Sequence, residues 1–148
     1  FENCALVGNS PMILGQGWGP EIDANDLVAR CNNAPLKRYE RDVGSWTSFR
    51  YQNERYSGFR EKHTDSVIGR FCSTVNVKGM VFCPPGNKTA YEAIELAYML
   101  KKKMHPLNPY FDAWIERPFR AQQTMPSTGM RALGVLLHVC KHVMLYGF

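Results

Sequence analysis

Cys4-Ala5-Leu6-Val7-Gly8-Asn9-Ser10-Pro11 sets a short apolar run against a turn sequence, the pattern of a buried strand entering a tight turn. Asp26-Leu27-Val28-Ala29-Arg30-Cys31 reads as a second strand closed by Asn32-Asn33-Ala34-Pro35, and Met80-Val81-Phe82-Cys83 before two prolines as a third. From Thr89 the apolar period changes: Ala90, Ala93, Ile94, Ala97 and Tyr98 recur at helical spacing, Thr89 and Glu92 have capping-box spacing, and Lys101-Lys102-Lys103 suit the negative end of a helix dipole. Asn108-Pro109 predicts a shorter helix over Tyr110 to Arg117, broken before Pro118. Pro126-Ser127-Thr128-Gly129 introduces a helix over Met130 to Lys141 with Leu133, Leu136, Leu137 and Cys140 on its apolar face, and Val143-Met144-Leu145-Tyr146 follows as a strand. Strand, helix and strand in alternation predict an α/β domain with a parallel sheet. The stretch from about Tyr51 to Arg120 reads as less regular, rich in aromatic and basic residues.

The chain has 148 residues, 45% of them hydrophobic and 21% charged, which is room for one domain with a real core and excludes disorder, collagen and coiled coil. There is no apolar run long enough to cross a bilayer, and Phe1-Glu2-Asn3-Cys4 lacks the shape of a signal peptide. A net charge of +5 suits an anionic partner: a nucleotide, a phosphate, a sialylated glycan or a nucleic acid. Cys4, Cys31, Cys72, Cys83 and Cys140 form no C-x-x-C pair, and no two histidines stand at H-x-x-x-H spacing beside a carboxylate, so a zinc site is not expected. The odd count fits a reduced cytosolic protein or a secretory one with one or two bridges. Asn87-Lys88-Thr89, an N-glycosylation sequon in a loop sequence, favours the second.

In an open parallel sheet ligands bind beyond the carboxyl ends of the strands. Asn9 and Asn32 lie just past two strands, and Ser127-Thr128-Gly129 opens a helix that runs back against them, so all are expected at one edge. Two amides, small hydroxyls and free helix-start N–H groups are what an anionic nucleotide needs. Each also has a bland role, Asn9 and Asn32 as turn formers and Ser127 as a helix cap. By the same geometry Cys4 and Cys140 fall at the opposite edge, either as a bridge or as two buried thiols. A bridge closing a loop of roughly 136 residues would stabilise the fold by about 5 kcal/mol in the chain-entropy model.

These residues also carry a resemblance. Cys4-Ala5-Leu6-Val7-Gly8-Asn9-Ser10, Glu21-Ile22-Asp23, Arg30-Cys31-Asn32-Asn33-Ala34-Pro35 and Asp42-Val43-Gly44-Ser45 resemble the long sialyl motif of the eukaryotic sialyltransferases, glycosyltransferase family 29. Pro126-Ser127-Thr128-Gly129, Leu137-His138-Val139-Cys140 and Tyr146-Gly147-Phe148 resemble their short motif. The resemblance implies a Rossmann-like GT-A-type domain with a mostly parallel sheet. It places the long motif at about 4–50, a variable acceptor-side region at about 51–120 and the short motif at about 126–148. It implies transfer of sialic acid from CMP-sialic acid to a hydroxyl of a glycoprotein or glycolipid glycan, inverting and metal-independent, with no cofactor beyond the donor. The expected place is the Golgi lumen, behind an N-terminal membrane anchor absent from this chain. By position Asn9 and Asn32 match the asparagines that hold the CMP phosphate and ribose, Ser127, Thr128 and Gly129 match residues around the nucleotide, and Cys4 with Cys140 match the family disulfide.

The family's general-base histidine belongs to motifs downstream of the short motif, so it is expected beyond Phe148, with a C-terminal part missing and this piece inactive alone. None of His63, His105, His138 and His142 falls in those motifs, and no catalytic residue is assigned. Met125 stands where several members carry tyrosine, and Arg30-Cys31-Asn32 with the ending from Cys140-Lys141 to Leu145-Tyr146-Gly147-Phe148 leans toward the α2,8-type branch without fixing the linkage. A lectin-like relative that binds CMP-sugars without turnover, or a transferase using another CMP-keto-sugar such as CMP-Kdo, are the rival readings. Three other patterns are set aside. Gly15-Gln16-Gly17-Trp18-Gly19-Pro20 has proline at the last position of a dinucleotide fingerprint, and Glu21 with Asp23 on an extended segment form no D-x-D. The lysine run reads as a solvated helix end, so no nucleic-acid partner is expected.

Overall fold

The computed structural model describes residues 1–53, 66–69, 103–106 and 109–148. Its strands are β1 (Asn3–Val7), β2 (Leu27–Cys31), β3 (Phe49–Gln52), β4 (Ser66–Gly69), β5 (Lys103–Pro106) and β6 (His142–Tyr146). They form one sheet in the order β5-β4-β3-β2-β1-β6, every neighbouring pair parallel. The helices are α1 (Gly19–Asp23), α2 (Glu40–Val43), α3 (Pro109–Arg120) and α4 (Thr128–Val139), with a 3-10 turn at Pro11–Ile13.

β1 is apolar because it lies between two strands with both faces covered, so neither face meets water. Its alternation sorts the core into two layers. Cys4 and Leu6 join Leu27, Ala29, Phe49, Tyr51, Ala132 and Leu136 on the α4 side, while Ala5 and Val7 join Ile22, Val28, Val43 and Tyr146 on the side of α1 and α2. From β1 the chain steps outward through β2, β3, β4 and β5, then returns to lay β6 against the other side of β1. That reversal puts a topological switch point between β1 and β6, where open α/β sheets bind ligands.

Several expectations change. β3 was not legible as a strand, yet all four of its residues are buried, Arg50 and Gln52 included. The stretch expected to be irregular supplies β4 and β5, and Lys103 opens β5 rather than closing a helix. The strand expected at Met80–Cys83 and the helix expected from Thr89 lie outside the described residues, as do Asn87, Cys72 and Cys83. α3 runs through Pro118 to Arg120 instead of stopping at Arg117; a proline so near the end removes a single i to i−4 hydrogen bond, and the last turn survives it. On α4, Leu137 is exposed, and Ala132 and Val135 take its place against the sheet. Glu21 and Asp23 belong to the short helix α1 rather than to an extended segment.

α3 packs on α4 at Gly134, where a β-carbon would stand 2.7 Å from Ile115 Cδ1. Beside that close approach Arg131, buried, pairs with Asp112 and with Glu116, the latter at 2.5 Å. Among the described residues the charges buried at this interface are paired, as the cost of burying an unpaired ion requires.

Candidate functional site

β1 ends where backbone meets backbone. Gly8 N–H donates to the Tyr146 carbonyl at 2.8 Å and Ser10 N–H to the Gly147 carbonyl at 3.0 Å, continuing the pairing with β6 past its last strand residue. A β-carbon on Gly8 would lie 2.2 Å from the Gly147 oxygen, so only glycine permits this approach. Asn9, between the two tethered residues, is exposed, and its side chain has no partner among the described residues. It borders a recess of about 170 Å³ shared with Ser10, Ala34, Pro35 and Tyr39.

β2 ends in a turn fixed from several sides. Asn32 takes φ +50°, a left-handed conformation that asparagine tolerates better than most residues. Its N–H donates to the Tyr51 carbonyl at 2.8 Å. Arg50, fully buried on β3, donates to the carbonyls of Asn32 at 2.9 Å and Ala34 at 2.7 Å, so a guanidinium holds the turn from beneath. The same charge opposes, but does not overcome, the burial that pushes the Cys31 thiol up to about 11. Cys31 is thus a protonated, inert thiol.

The third contribution is Asn53, the residue after β3. Its backbone N–H donates to Asn32 Oδ1 at 3.1 Å, and its Nδ2 donates to Thr128 Oγ1 at 3.1 Å. Thr128 opens α4 on the other face of the sheet, so one residue joins the β2 turn to a helix start. Ser127 caps that helix, its Oγ accepting from Met130 N–H at 3.1 Å. The N–H groups of Thr128 and Gly129, in the first turn, have no carbonyl four residues back within the helix. Gly129 is buried under Phe148, whose ring would meet a β-carbon there at 2.3 Å.

Asn32, Thr128 and, through the helix start, Ser127 and Gly129 are therefore brought into one hydrogen-bonded set. Asn9 stands beside it rather than in it. Val7 pairs with Arg30, and Asn9 and Asn32 each lie two residues further on, at the same level of the rim. The capping role of Ser127 and the turn role of Asn32 are both real, and neither displaces the side chains from that rim. Sequence reasoning missed Arg50 on β3 and Asn53 just after it, because Arg50 and Gln52 alternate with Phe49 and Tyr51 and leave β3 without a continuous apolar run.

Cys4 and Cys140 are joined by a disulfide with Cα atoms 6.2 Å apart, at the rim where β1 begins. Met125 is exposed. His138 and His142 are exposed at the far end of α4 and the start of β6; His138 Nδ1 lies 2.8 Å from the Gly134 carbonyl and its ring stands edge-on to Phe111 and Trp114. His63 lies outside the described residues, and His105 falls in β5. Among the described residues no three of His, Cys, Asp or Glu gather as metal ligands would, and no helix is long and apolar enough to cross a membrane.

A family model described as Glycosyltransferase family 29 (sialyltransferase) matches residues 1–148. The chain is 35% identical to the CMP-N-acetylneuraminate-beta-galactosamide-alpha-2,3-sialyltransferase 1 of Mus musculus over 99% of its own length and 44% of that protein's. It is 30% identical to the same-named protein of Sus scrofa, again over 99% of this chain and 44% of the relative. Both names specify α-2,3 linkage rather than the α-2,8 toward which the sequence leans. A crystal structure of a mammalian sialyltransferase in complex with Gal-beta-1-3GalNAc-ortho-nitrophenol superposes with TM-score 0.72 at 27% identity, covering 99% of this chain and 55% of that one. This chain thus spans a little under half the length of these curated relatives.

Proposed function

Because this chain belongs to glycosyltransferase family 29, the sialyltransferases, we propose that the rim formed by Asn9, Asn32, Ser127, Thr128 and Gly129 holds the cytidine monophosphate of CMP-sialic acid. On this reading the protein transfers the sialyl group to a hydroxyl of a glycan. What supports the reading is that Asn53 joins the Asn32 amide to the start of α4 at the carboxyl rim of the sheet, with the exposed Asn9 two residues past the end of β1 on the same rim. With Oδ1 of Asn32 occupied by the Asn53 N–H, the end of that amide left for a ligand is its NH₂ group. The rim is thereby rich in donors, which matches a phosphate and a ribose.

In the proposed reaction the acceptor hydroxyl attacks the anomeric carbon from the face opposite CMP. A new C–O bond forms as the bond to the phosphate oxygen breaks, the configuration inverts, and the bonding pair leaves on CMP. Negative charge grows on the phosphate during that step. Backbone N–H groups at the start of α4, fixed by the helix, stabilise it without reorganising, the form of catalysis in which preformed dipoles contribute most, and Asn9 adds a side-chain donor. A general base takes the acceptor's proton, and this reading assigns that role to no described residue. No metal enters it.

We read the linkage as α-2,3 from the names of the relatives, in place of the α-2,8 lean, and the acceptor as a β-galactoside from the Gal-beta-1-3GalNAc compound in the similar crystal structure. The Golgi lumen, behind an N-terminal anchor, is the proposed location, and the Cys4–Cys140 bridge suits such an oxidising compartment. In the full-length protein, Asn9→Ala and Asn32→Ala should each weaken CMP binding about tenfold by calorimetry, the scale of a lost hydrogen bond to a charged partner, with the fold unchanged by circular dichroism. Wild-type affinity in both variants overturns the assignment. Transfer to a β-galactoside acceptor, with the product open to an α-2,3-specific sialidase, tests the linkage.

A further inference from the structure

We propose that Asn53 is a positioning residue that sets the hydrogen-bond polarity of the nucleotide rim, turning both Asn32 and Thr128 into donors toward the ligand. The proposal rests on the donor-site reading above and concerns a residue that lies outside both sialyl motifs. It starts from two bonds made by the same residue, each with Asn53 as donor: backbone N–H to Asn32 Oδ1 and side-chain Nδ2 to Thr128 Oγ1, both at 3.1 Å.

A backbone N–H has no choice of role; it only donates. The atom of Asn32 that faces it must therefore be the carbonyl oxygen, and the NH₂ is turned to the other side. A threonine hydroxyl does have a choice, since its oxygen can accept while its proton goes elsewhere, or its proton can be given to a neighbour. By donating into Oγ1, the Asn53 amide leaves the Thr128 proton for another acceptor. Asn32 is itself held rigidly, its N–H given to the Tyr51 carbonyl and its carbonyl taken by Arg50, so the carboxamide has little freedom to turn away. Two donors on one residue thus orient two donors on its neighbours. The ligand such a site selects is rich in acceptors, as a nucleoside monophosphate is.

Asn53→Ala removes the whole carboxamide and keeps the backbone N–H that orients Asn32, and a Thr128→Val background separates the bond to Thr128 from any other contact of the carboxamide. In the full-length protein Asn53→Ala should raise the Kd for CMP between about two-fold and about ten-fold, the range of one neutral hydrogen bond. On a Thr128→Val background the same substitution should have no further effect, since the hydroxyl through which it acts is gone. An equal loss on both backgrounds overturns the proposal, because Asn53 would then touch the ligand or act through the fold. Asn53→Asp, of the same size, is the second test. A carboxylate only accepts, so it draws the Thr128 proton toward itself, and binding of uncharged cytidine, where phosphate repulsion plays no part, should weaken at least as much as in Asn53→Ala. Wild-type cytidine affinity in Asn53→Asp overturns the proposal. The two readings fail separately: if Asn32→Ala weakens CMP binding while Asn53→Ala does not, only the role of Asn53 falls; if Asn9→Ala and Asn32→Ala leave CMP binding at the wild-type value, the donor site itself falls.

Discussion

The hydroxyl of Tyr146, the last residue of β6, donates to Oε1 of Glu21 in α1 at 2.7 Å. The bond ties the returning edge strand to the helix that follows β1, and so fixes the edge of the sheet beside the switch point. Burial, then the hydrogen bond to Glu21 and its charge, push the Tyr146 hydroxyl up to about 12 from an ordinary value near 10. A proton held more tightly in the folded state contributes stability that is fully present below about pH 10 and is lost as pH rises through about 12. In an ultraviolet titration of the tyrosines, one group should ionise late, and Tyr146→Phe should remove it. Because Glu21 is exposed, Tyr146→Phe should cost only about 1 to 2 kcal/mol in urea denaturation at neutral pH.

At the acid end the groups are Asp42 and Asp26. The N–H groups of Gly15 and Gly17 hold the Asp42 carboxyl below its usual range, as those of Asn3 and Glu2 do for Asp26. A depressed carboxyl contributes stability above its unfolded value near 4 and loses it as pH falls through the lower folded value. The melting temperature should therefore fall below about pH 4. Asp42→Asn should flatten that limb, since an amide oxygen still accepts from Gly17 but does not titrate. The same bond ties the glycine loop, Gly15 and Gly17 at positive φ, to α2.

Much of this architecture can be read from the chain, and what cannot has a common cause. β1, β2, α4 and β6 announce themselves because their sequences are largely apolar, and the rim positions of Asn9, Asn32 and Thr128 follow from where those elements stop. β3 hides because half of it is Arg50 and Gln52, buried by hydrogen bonds rather than by hydrophobicity, and periodicity does not register such burial. Asn53 was lost with it, although it links the two halves of the rim. Leu137 errs in the opposite sense: its spacing fits the apolar face of α4, yet it points to solvent, since helical spacing does not say how wide the covered stripe is.

The Cys4–Cys140 bridge clamps the rim where β1 begins, away from the proposed nucleotide rim at the other end of the strand. Its loss should separate stability from binding. Cys4→Ser with Cys140→Ser should lower stability by about 3 to 5 kcal/mol, the amount expected for a loop of 136 residues. Calorimetry at a temperature where the variant stays folded should return the wild-type Kd for CMP. A large affinity change without unfolding would mean that the two rims are coupled.

The buried cluster of Arg131 with Asp112 and Glu116 gives the last prediction, and its sign depends on which partner goes. Arg131→Leu takes the guanidinium from between two buried carboxylates at the α3–α4 interface, while Arg120 keeps its contact with Glu116 at 3.0 Å from a half-exposed position. Removing one partner of a buried ion pair costs about 3 to 5 kcal/mol, because the buried carboxylates lose the guanidinium that offsets their desolvation. Replacing all three by apolar residues of similar size removes that penalty along with the attraction, so Arg131→Leu combined with Asp112→Leu and Glu116→Met should recover most of the loss. Urea denaturation of the single and triple variants reads the difference directly. If the triple variant is no more stable than Arg131→Leu, the cluster contributes through geometry that apolar packing does not replace, and α3 would be expected to shift on Gly134. Because Arg131 lies only three residues after Thr128, that shift would reach the start of α4, and the CMP affinity of the triple variant would show it.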